Sequence, residues 1–339
     1  MKILVDALGG DNAPQAVLEG ASKALASRKD LNLVIVGPTE DCKNTLTKLG
    51  ADLTRVEFLN AKEAVLNTDH PAMFLKQKPE STLAVAYDAL RRRDDIDGML
   101  TAGPTGAVLT GAVLRLGRIP GIERPGLIST LPTKNDSYVR VIDSGANMDC
   151  KPQYLYQFAV MASTYLKCIG IDNPRVSLLN VGAEEGKGDD LSKEAFGLLK
   201  NSSLNFVGNI EAREVLSGSV DVLVCDGFSG NILLKCIEGT AMTLMKKLKA
   251  IFYKNTVNKL AAAVLKKDVY ALKAMLDPSE VGGTALLGIS KPVIKAHGSS
   301  DARAIRSAVR QAITFIDSDV IASIEKNVAY MRITPNEGE

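Results

Sequence analysis

Short aliphatic runs recur along the chain at residues 3–5, 33–36, 99–100, 127–131, 139–142, 176–179 and 222–224, and helical apolar spacing fills the stretches between them. Alternation of this kind predicts βαβ units, in which buried parallel strands read as continuous apolar runs. Most runs end in glycine with small or polar residues: GGDNAP at 9–14, TAGPTGA at 101–107, DSGANMD at 143–149, NVGAEEGKG at 180–188 and DGFSGN at 226–231. Right-handed crossovers put the strand-to-helix turns of a parallel sheet at the carboxyl ends of its strands. The loops are therefore expected along one edge, around one cleft. No internal repeat or low-complexity linker divides the chain, so the expectation is a single α/β domain over 1–339.

One region breaks the alternation. About 238–280 reads as a helical excursion without a strand, and from 240 to 276 it carries Lys246, Lys247, Lys249, Lys254, Lys259, Lys266, Lys267 and Lys273 against the single acid Asp268. Leu244, Met245, Leu248, Ile251, Phe252, Val257, Leu260, Val264 and Leu265 recur at three- and four-residue steps, which predicts a cationic amphipathic helix or helix pair. Two readings stand: a solvated face packed on the body, or a patch for anionic headgroups or an acidic partner. Nucleic acid is not expected, because the segment has only Phe252 and Tyr253 as aromatics and no reader motif.

The apolar fraction of 46% in 339 residues supports a large core, and 28 glycines with no tryptophan suit a sheet of aliphatic strands and tight turns. Five cysteines form no CxxC pair and read as reduced thiols of a cytosolic protein. The first apolar run is too short for a signal peptide, and no run approaches the roughly 20 residues of a membrane span. With only His70 and His297 the chain offers no metal-ligand cluster and few triad candidates, and neither GxSxG nor GxGxxG occurs. The 180–188 loop also fails as a P-loop: three residues separate Gly182 from Gly186 where four are needed, and Lys187 is followed by Gly188 instead of Ser or Thr. No metal or cofactor is expected. Loops of this kind work by positioning and by hydrogen-bond donation, which suits a nucleophile already charged, such as inorganic phosphate.

Each loop has a structural and a functional reading. Gly9, Gly10 and Asp11 can bind an anion at a helix start near Pro14, with Asn12 as that helix's cap. Thr105 and Gly106 open another helix. Asp143, Asn147 and Asp149 either shape an Asx turn or bind substrate. Asn180, Glu184, Glu185 and Lys187 carry the strongest functional expectation, with Lys187 as a phosphate point charge and one of the two glutamates as a helix cap. Asp226, Ser229, Asn231 and Lys235 repeat the pattern, while Cys225 reads as a small buried hydrophobe. His297 and Ser299 sit in a Gly-containing turn after a strand-like 292–294, where the histidine can act as acid or oxyanion donor. Asn180, Asn231 and His297 are the candidate oxyanion donors beside Lys187.

GGDNAP, AGPTGA, LGRIPGIERPGL (116–127), LPTK (131–134), DSGANMDCKP (143–152), NPRVSLLNVGAEEGKG, VLVCDGFSGNILLK (222–235) and KAHGSSDARAI (295–305) resemble, in order and along nearly the whole chain, the bacterial phosphate acyltransferases of the PlsX family. The resemblance implies transfer of a fatty acyl group from acyl carrier protein to inorganic phosphate, giving acyl phosphate for phospholipid synthesis. It further implies a three-layer α/β/α sandwich with a mostly parallel sheet, similar to phosphotransacetylases and isopropylmalate dehydrogenases. The implied setting is a cytoplasmic homodimer, peripheral to the inner face of the membrane and beside an integral-membrane glycerol-3-phosphate acyltransferase. The chain departs from the family at Pro104, where Asn is usual, and in reading DALGGD for DAMGGD. An acyl-CoA phosphotransacetylase, an NAD-dependent dehydrogenase on the same architecture and a non-enzymatic membrane scaffold are the alternatives.

Overall fold

A computed structural model describes residues 1–269 and 282–331. Its strands are β1 (Lys2–Asp6), β2 (Asn32–Gly37), β3 (Val56–Asn60), β4 (Gly98–Thr101), β5 (Gly126–Pro132), β6 (Tyr138–Ile142), β7 (Val176–Asn180), β8 (Phe206–Glu211), β9 (Val222–Val224), β10 (Thr284–Leu287) and β11 (Val293–Lys295). The helices that matter below are α1 (Gln15–Ser27), α2 (Thr39–Lys48), α3 (Phe74–Gln77), α4 (Thr82–Arg92), α5 (Thr105–Gly111), α6 (Pro152–Cys168), α7 (Asp190–Lys200), α8 (Gly227–Phe252) and α9 (Thr256–Val264), followed by helices over Ala302–Asp317 and Val320–Met331. All eleven strands form one sheet in the order β3-β2-β1-β4-β11-β10-β5-β6-β9-β7-β8.

Seven of the ten strand pairings are parallel, so the expected mostly parallel α/β sheet is present. The three antiparallel ones, β11–β10, β10–β5 and β5–β6, stand together in the middle. Three reversals in succession leave β6, β9, β7 and β8 running opposite to β1, β2, β3, β4 and β11. The carboxyl ends of the two halves therefore lie at opposite edges, which corrects the expectation of one loop-bearing edge. The crossover rule that produced it holds within each half and fails across the antiparallel centre.

Strand alternation sorts the core into two faces. On one, Val5, Leu100, Ile294, Ala285, Ile128, Ile142, Val224 and Leu178 join a continuous cluster under α1, α6 and the helices Ala302–Asp317 and Val320–Met331. The other face carries two separate clusters. One gathers Leu4, Met99, Val293, Leu286 and Leu127 under α4 and α5; the other gathers Leu131, Val139, Val141 and Leu223 under α8. Between them the sheet has no apolar cover, and the cleft formed there is where the loops from both edges arrive.

The lysine-rich stretch continues α8, which starts in the cleft, and then turns into α9; residues 270–280 of the expected excursion lie outside the described residues. Most of its apolar side chains stay exposed, with Met245, Leu248 and Phe252 half-buried. Met242 is 74% exposed, Leu260 66% and Val264 83%, and α9 has no buried residue. The packed-face reading finds no support among the described residues, none of which buries Leu260 or Val264. No helix among the described residues is long and apolar enough to cross a membrane.

Candidate active site

The loops after β1, β4 and β11 are stitched together by their own backbones. Asp11 N donates to Gly298 O at 2.7 Å, and Ala296 N donates to Thr101 O at 2.8 Å. Asn12 Nδ2 donates to the carbonyls of Ser299 (3.0 Å) and Ser300 (3.2 Å), so it ties the first loop to the last and does not cap α1. Glycine at position 9 is dictated by space: a Cβ there would stand 2.7 Å from Asp6 Oδ2 and 2.9 Å from Gly103 N. Gly10 combines a φ of +100° with a Cβ position 2.9 Å from Gly298 O, a conformation and a clearance that suit only glycine. Gly106 is held for packing, since a Cβ there would meet Pro71 Cγ at 2.9 Å. Thr105 opens α5 behind Pro104, at the start of the cleft's wall.

Beneath these loops a row of polar side chains crosses the cleft floor. Register places Thr101 beside Lys295 and Lys295 beside Thr284. Thr101 Oγ1 donates to Asp6 Oδ2 at 2.7 Å, Ser129 Oγ lies 3.3 Å from Thr284 Oγ1, and Ser129 Oγ lies 2.7 Å from Ser144 Oγ. Asp6, Thr101, Ser129 and Ser144 are buried; Lys295 and Thr284 are partly exposed and form the open part of the floor. Burial pushes the Asp6 carboxyl up from the ordinary range, against the pull of its hydrogen bonds.

A basic cluster stands on this floor. His297 Nε2 lies 3.2 Å from Lys235 Nζ, and His297 Nδ1 lies 2.8 Å from Ser299 Oγ. Nδ1 also accepts from the Ser299 backbone N–H at 3.2 Å, so both ring nitrogens face donors and the ring is tied to the Ser299 turn as well as to α8. Partial burial first, then the charges of Lys235 and Lys295, hold the His297 pKa below its ordinary value and keep the ring neutral at pH 7. Lys235 also pairs with Glu238 at 2.8 Å.

The opposite half sends up the 143–149 loop and α8. Buried Asp143 organises that loop: its carboxylate accepts from Leu127 N (3.1 Å), Gly145 N (3.1 Å), Ala146 N (2.9 Å), Asn147 N (2.6 Å) and Asn147 Nδ2 (2.8 Å). Burial pushes its pKa up while these donors pull it back down. Asn147 is itself buried, its amide spent on Asp143 and on Pro125 O at 2.7 Å, whereas Asp149 is exposed. Asp226 caps α8 by accepting from Ser229 N at 2.9 Å. A Cβ on Gly230 would collide with the Asp143 carbonyl oxygen, so α8 starts pressed against this loop. Asn231 consequently faces Gly145, and Lys235, one turn on, reaches His297. Cys225 is buried in the α8 cluster with its thiol pKa pushed far up by burial, as a small hydrophobe would be.

The 180–188 loop does not join this group. β7 stands five places from β11, about 24 Å at the usual strand spacing of about 4.8 Å. Asn180 spends its amide on its own loop, with Nδ2 donating to Lys187 O at 3.0 Å and Oδ1 accepting from Val181 N at 2.8 Å. Glu185 pairs with Lys200 at 2.8 Å in solvent. The cap of α7 is Asp189, which accepts from Ser192 N at 2.8 Å, and not either glutamate. Lys187 is exposed, without an ion pair among the described residues. The sequence reading overlooked the floor itself: Asp6, Thr101, Ser129, Ser144, Thr284 and Lys295. Its signal was available as a polar residue closing or interrupting an apolar run on the same parity as Leu4, Met99, Leu127 and Val293.

Residues 1–323 match the family described as fatty acid synthesis protein. A phosphate acyltransferase of Bacillus thuringiensis (strain Al Hakam) is 45% identical over 326 residues, covering 96% of this chain and 97% of its own. Among solved structures, a phosphotransacetylase from Streptococcus pyogenes superimposes with a TM-score of 0.63 at 20% identity over 94% of both chains. A branched-chain phosphotransacylase from Enterococcus faecalis V583 gives 0.57 at 12% identity, over 93% of this chain and 99% of its own. These structural likenesses show the α/β fold; the sequence match shows more. The chain belongs to the fatty acid synthesis protein family that includes the phosphate acyltransferases.

Proposed function

We propose that this protein is an acyltransferase that moves a fatty acyl group from acyl carrier protein to inorganic phosphate. The observation that carries the reading is the cleft itself, in which Gly-rich turns, Lys235, Asn231 and His297 surround a polar floor with a basic opening. Such a site positions a nucleophile and need not create one. Hydrogen phosphate dianion attacks the thioester carbonyl, a C–O bond forms, and the C–S bond breaks. The phosphate proton ends on the departing thiolate, so acyl phosphate and free thiol account for every atom and charge. The Asn231 amide donates to the transient oxyanion and His297 fixes Lys235 against a phosphate oxygen.

Lys187 and Asn180 enter this reading only through a homodimer, in which the exposed loop of a second copy approaches the cleft. The direct test is to incubate the protein with phosphate and either acyl carrier protein bearing a long acyl chain or the matching acyl-CoA, and to trap acyl phosphate with hydroxylamine. Product from the carrier-bound donor is the expected result. Product from acyl-CoA alone makes the protein a phosphotransacetylase, and no product from either removes acyl transfer.

The same reading puts the protein at the inner membrane surface, beside an integral-membrane glycerol-3-phosphate acyltransferase that takes the acyl phosphate. Its support is the α8–α9 pair: Val257, Leu260 and Val264 lie exposed on one side of α9 among lysines. Of the basic residues near α4, Arg93 is already bridged to Glu57 and Asp95 and has less to offer an acidic surface. Changing Leu260 and Val264 together to Asp should weaken binding to anionic vesicles about tenfold or more, since each removes an exposed aliphatic side chain that the lipid surface would bury. Equal sedimentation of variant and wild type with the vesicles would sink the lipid assignment.

A further inference from the structure

Lys295 is the one basic side chain in the cleft floor, and nothing in the loops or in α8 accounts for it. It closes β11 between Thr101 on β4 and Thr284 on β10, on the face of the sheet that the two helical walls leave open. One of its three N–H groups donates to Ala296 O at 3.1 Å. The other two have no acceptor among the described residues. A lysine that merely covered apolar surface would extend its ammonium into water. This one is kept in the floor, within reach of the Lys235 charge, while of the nearby carboxylates Glu238 is already paired with Lys235 and Asp11 lies on the His297 side. A lysine on a hydroxyl-lined floor with two unused N–H groups is chemically matched to an anion.

We propose that Lys295 is a phosphate-binding residue, its two unused N–H groups and the Thr284 hydroxyl gripping the oxygens of a phosphate dianion held under Lys235 and His297. The proposal rests on the reading that the cleft takes phosphate, and it adds the residue that sets the affinity. Burial first, and the Lys235 charge second, lower the Lys295 amine to about 8. It is then mostly charged at pH 7 and mostly neutral at pH 9, so the affinity, counted for the phosphate dianion because free phosphate is only partly dianionic at pH 7, should be about tenfold weaker at the higher pH. The other charged or titratable groups around the cluster are Lys235 and Glu238 from α8 and His297 and Asp11 from the loops; His297, its pKa already low, is neutral throughout that window.

The experiment is calorimetry with inorganic phosphate alone at pH 7 and pH 9, alongside the phosphate KM of acyl phosphate formation, on wild type, Lys295→Met and Lys295→Arg. Lys295→Met should raise the phosphate Kd and KM at pH 7 by about 10- to 100-fold, as loss of a charge-assisted contact does, with the KM for the acyl donor unchanged. Lys295→Arg should stay within a few-fold of wild type at pH 7 and lose the weakening at pH 9. An unchanged Kd in folded Lys295→Met, or equal wild-type affinity at the two pH values, overturns the proposal. If Lys295→Met does not fold, the wild-type comparison and the arginine variant decide it. A wild type that binds phosphate with this pH dependence and makes no acyl phosphate would sink acyl transfer and leave Lys295 in place.

Discussion

Replacing Asp143 with alanine is expected to destabilise the protein by about 4 kcal/mol or more in urea unfolding, with turnover lost even where the variant is still folded. The carboxylate satisfies the backbone N–H groups of Leu127, Gly145, Ala146 and Asn147 and the Asn147 amide, at a position with no solvent exposure. Each orphaned buried donor carries a penalty of about 1–3 kcal/mol, partly relieved where water can enter. Asp143→Asn retains one acceptor oxygen but turns an NH2 toward the same donors, so it should fall between alanine and wild type. Activity is coupled to this stability through α8. The Asp143 carbonyl presses on Gly230 and the loop faces Asn231, so a slackened loop shifts the helix that carries both Asn231 and Lys235. A loss below about 1 kcal/mol would show that the loop is held by packing and not by these hydrogen bonds.

How far the sequence reveals this protein differs between its elements and its assembly. The seven aliphatic runs all become strands because a buried strand needs little beyond continuous apolar character; the structure extends six of them by one or two residues and leaves 222–224 unchanged. β8 escaped because Gly208, at φ +98°, breaks the run, and the β7–β8 register shifts nearby. β3 escaped because Glu57, which pairs with Arg93, interrupts its apolar sequence at the sheet edge. Strand direction was the larger loss. Nothing local in residues 126–142 says whether β5 and β6 continue a parallel sheet or reverse it, and that one choice decides which loops meet. The 180–188 loop is the casualty. Its mixture of glycine, acids and lysine reads as chemistry, yet in one copy Asn180 and Asp189 employ the same polarity to hold the loop and cap α7. The floor was the converse case, since single Ser, Thr and Lys residues in strands look like ordinary edge positions until register lines them up.

Asn231→Ala should lower kcat by about 10²- to 10³-fold while leaving the phosphate Kd and the urea midpoint near wild type, the signature of a donor used only in the transition state. Its side chain lines the cleft one helical turn before Lys235 and faces Gly145, where a φ of +136° keeps the opposing backbone free of a Cβ. Truncation there removes an amide without uncovering a buried partner, so little stability is at stake. The same variant separates the two places open to Lys187. If that lysine serves the cleft of a second copy, Lys187→Ala and Asn231→Ala are each inactive alone, and subunits refolded as a mixture recover turnover in the cleft that receives an intact residue from each chain. A Lys187→Ala enzyme that by itself turns over at the wild-type rate confines Lys187 to its own copy, where about 24 Å of sheet separates it from phosphate. Loss of activity in Lys187→Ala with no recovery on mixing would contradict both placements, and would mean that β7 and β11 come closer in the working enzyme than their strand order allows.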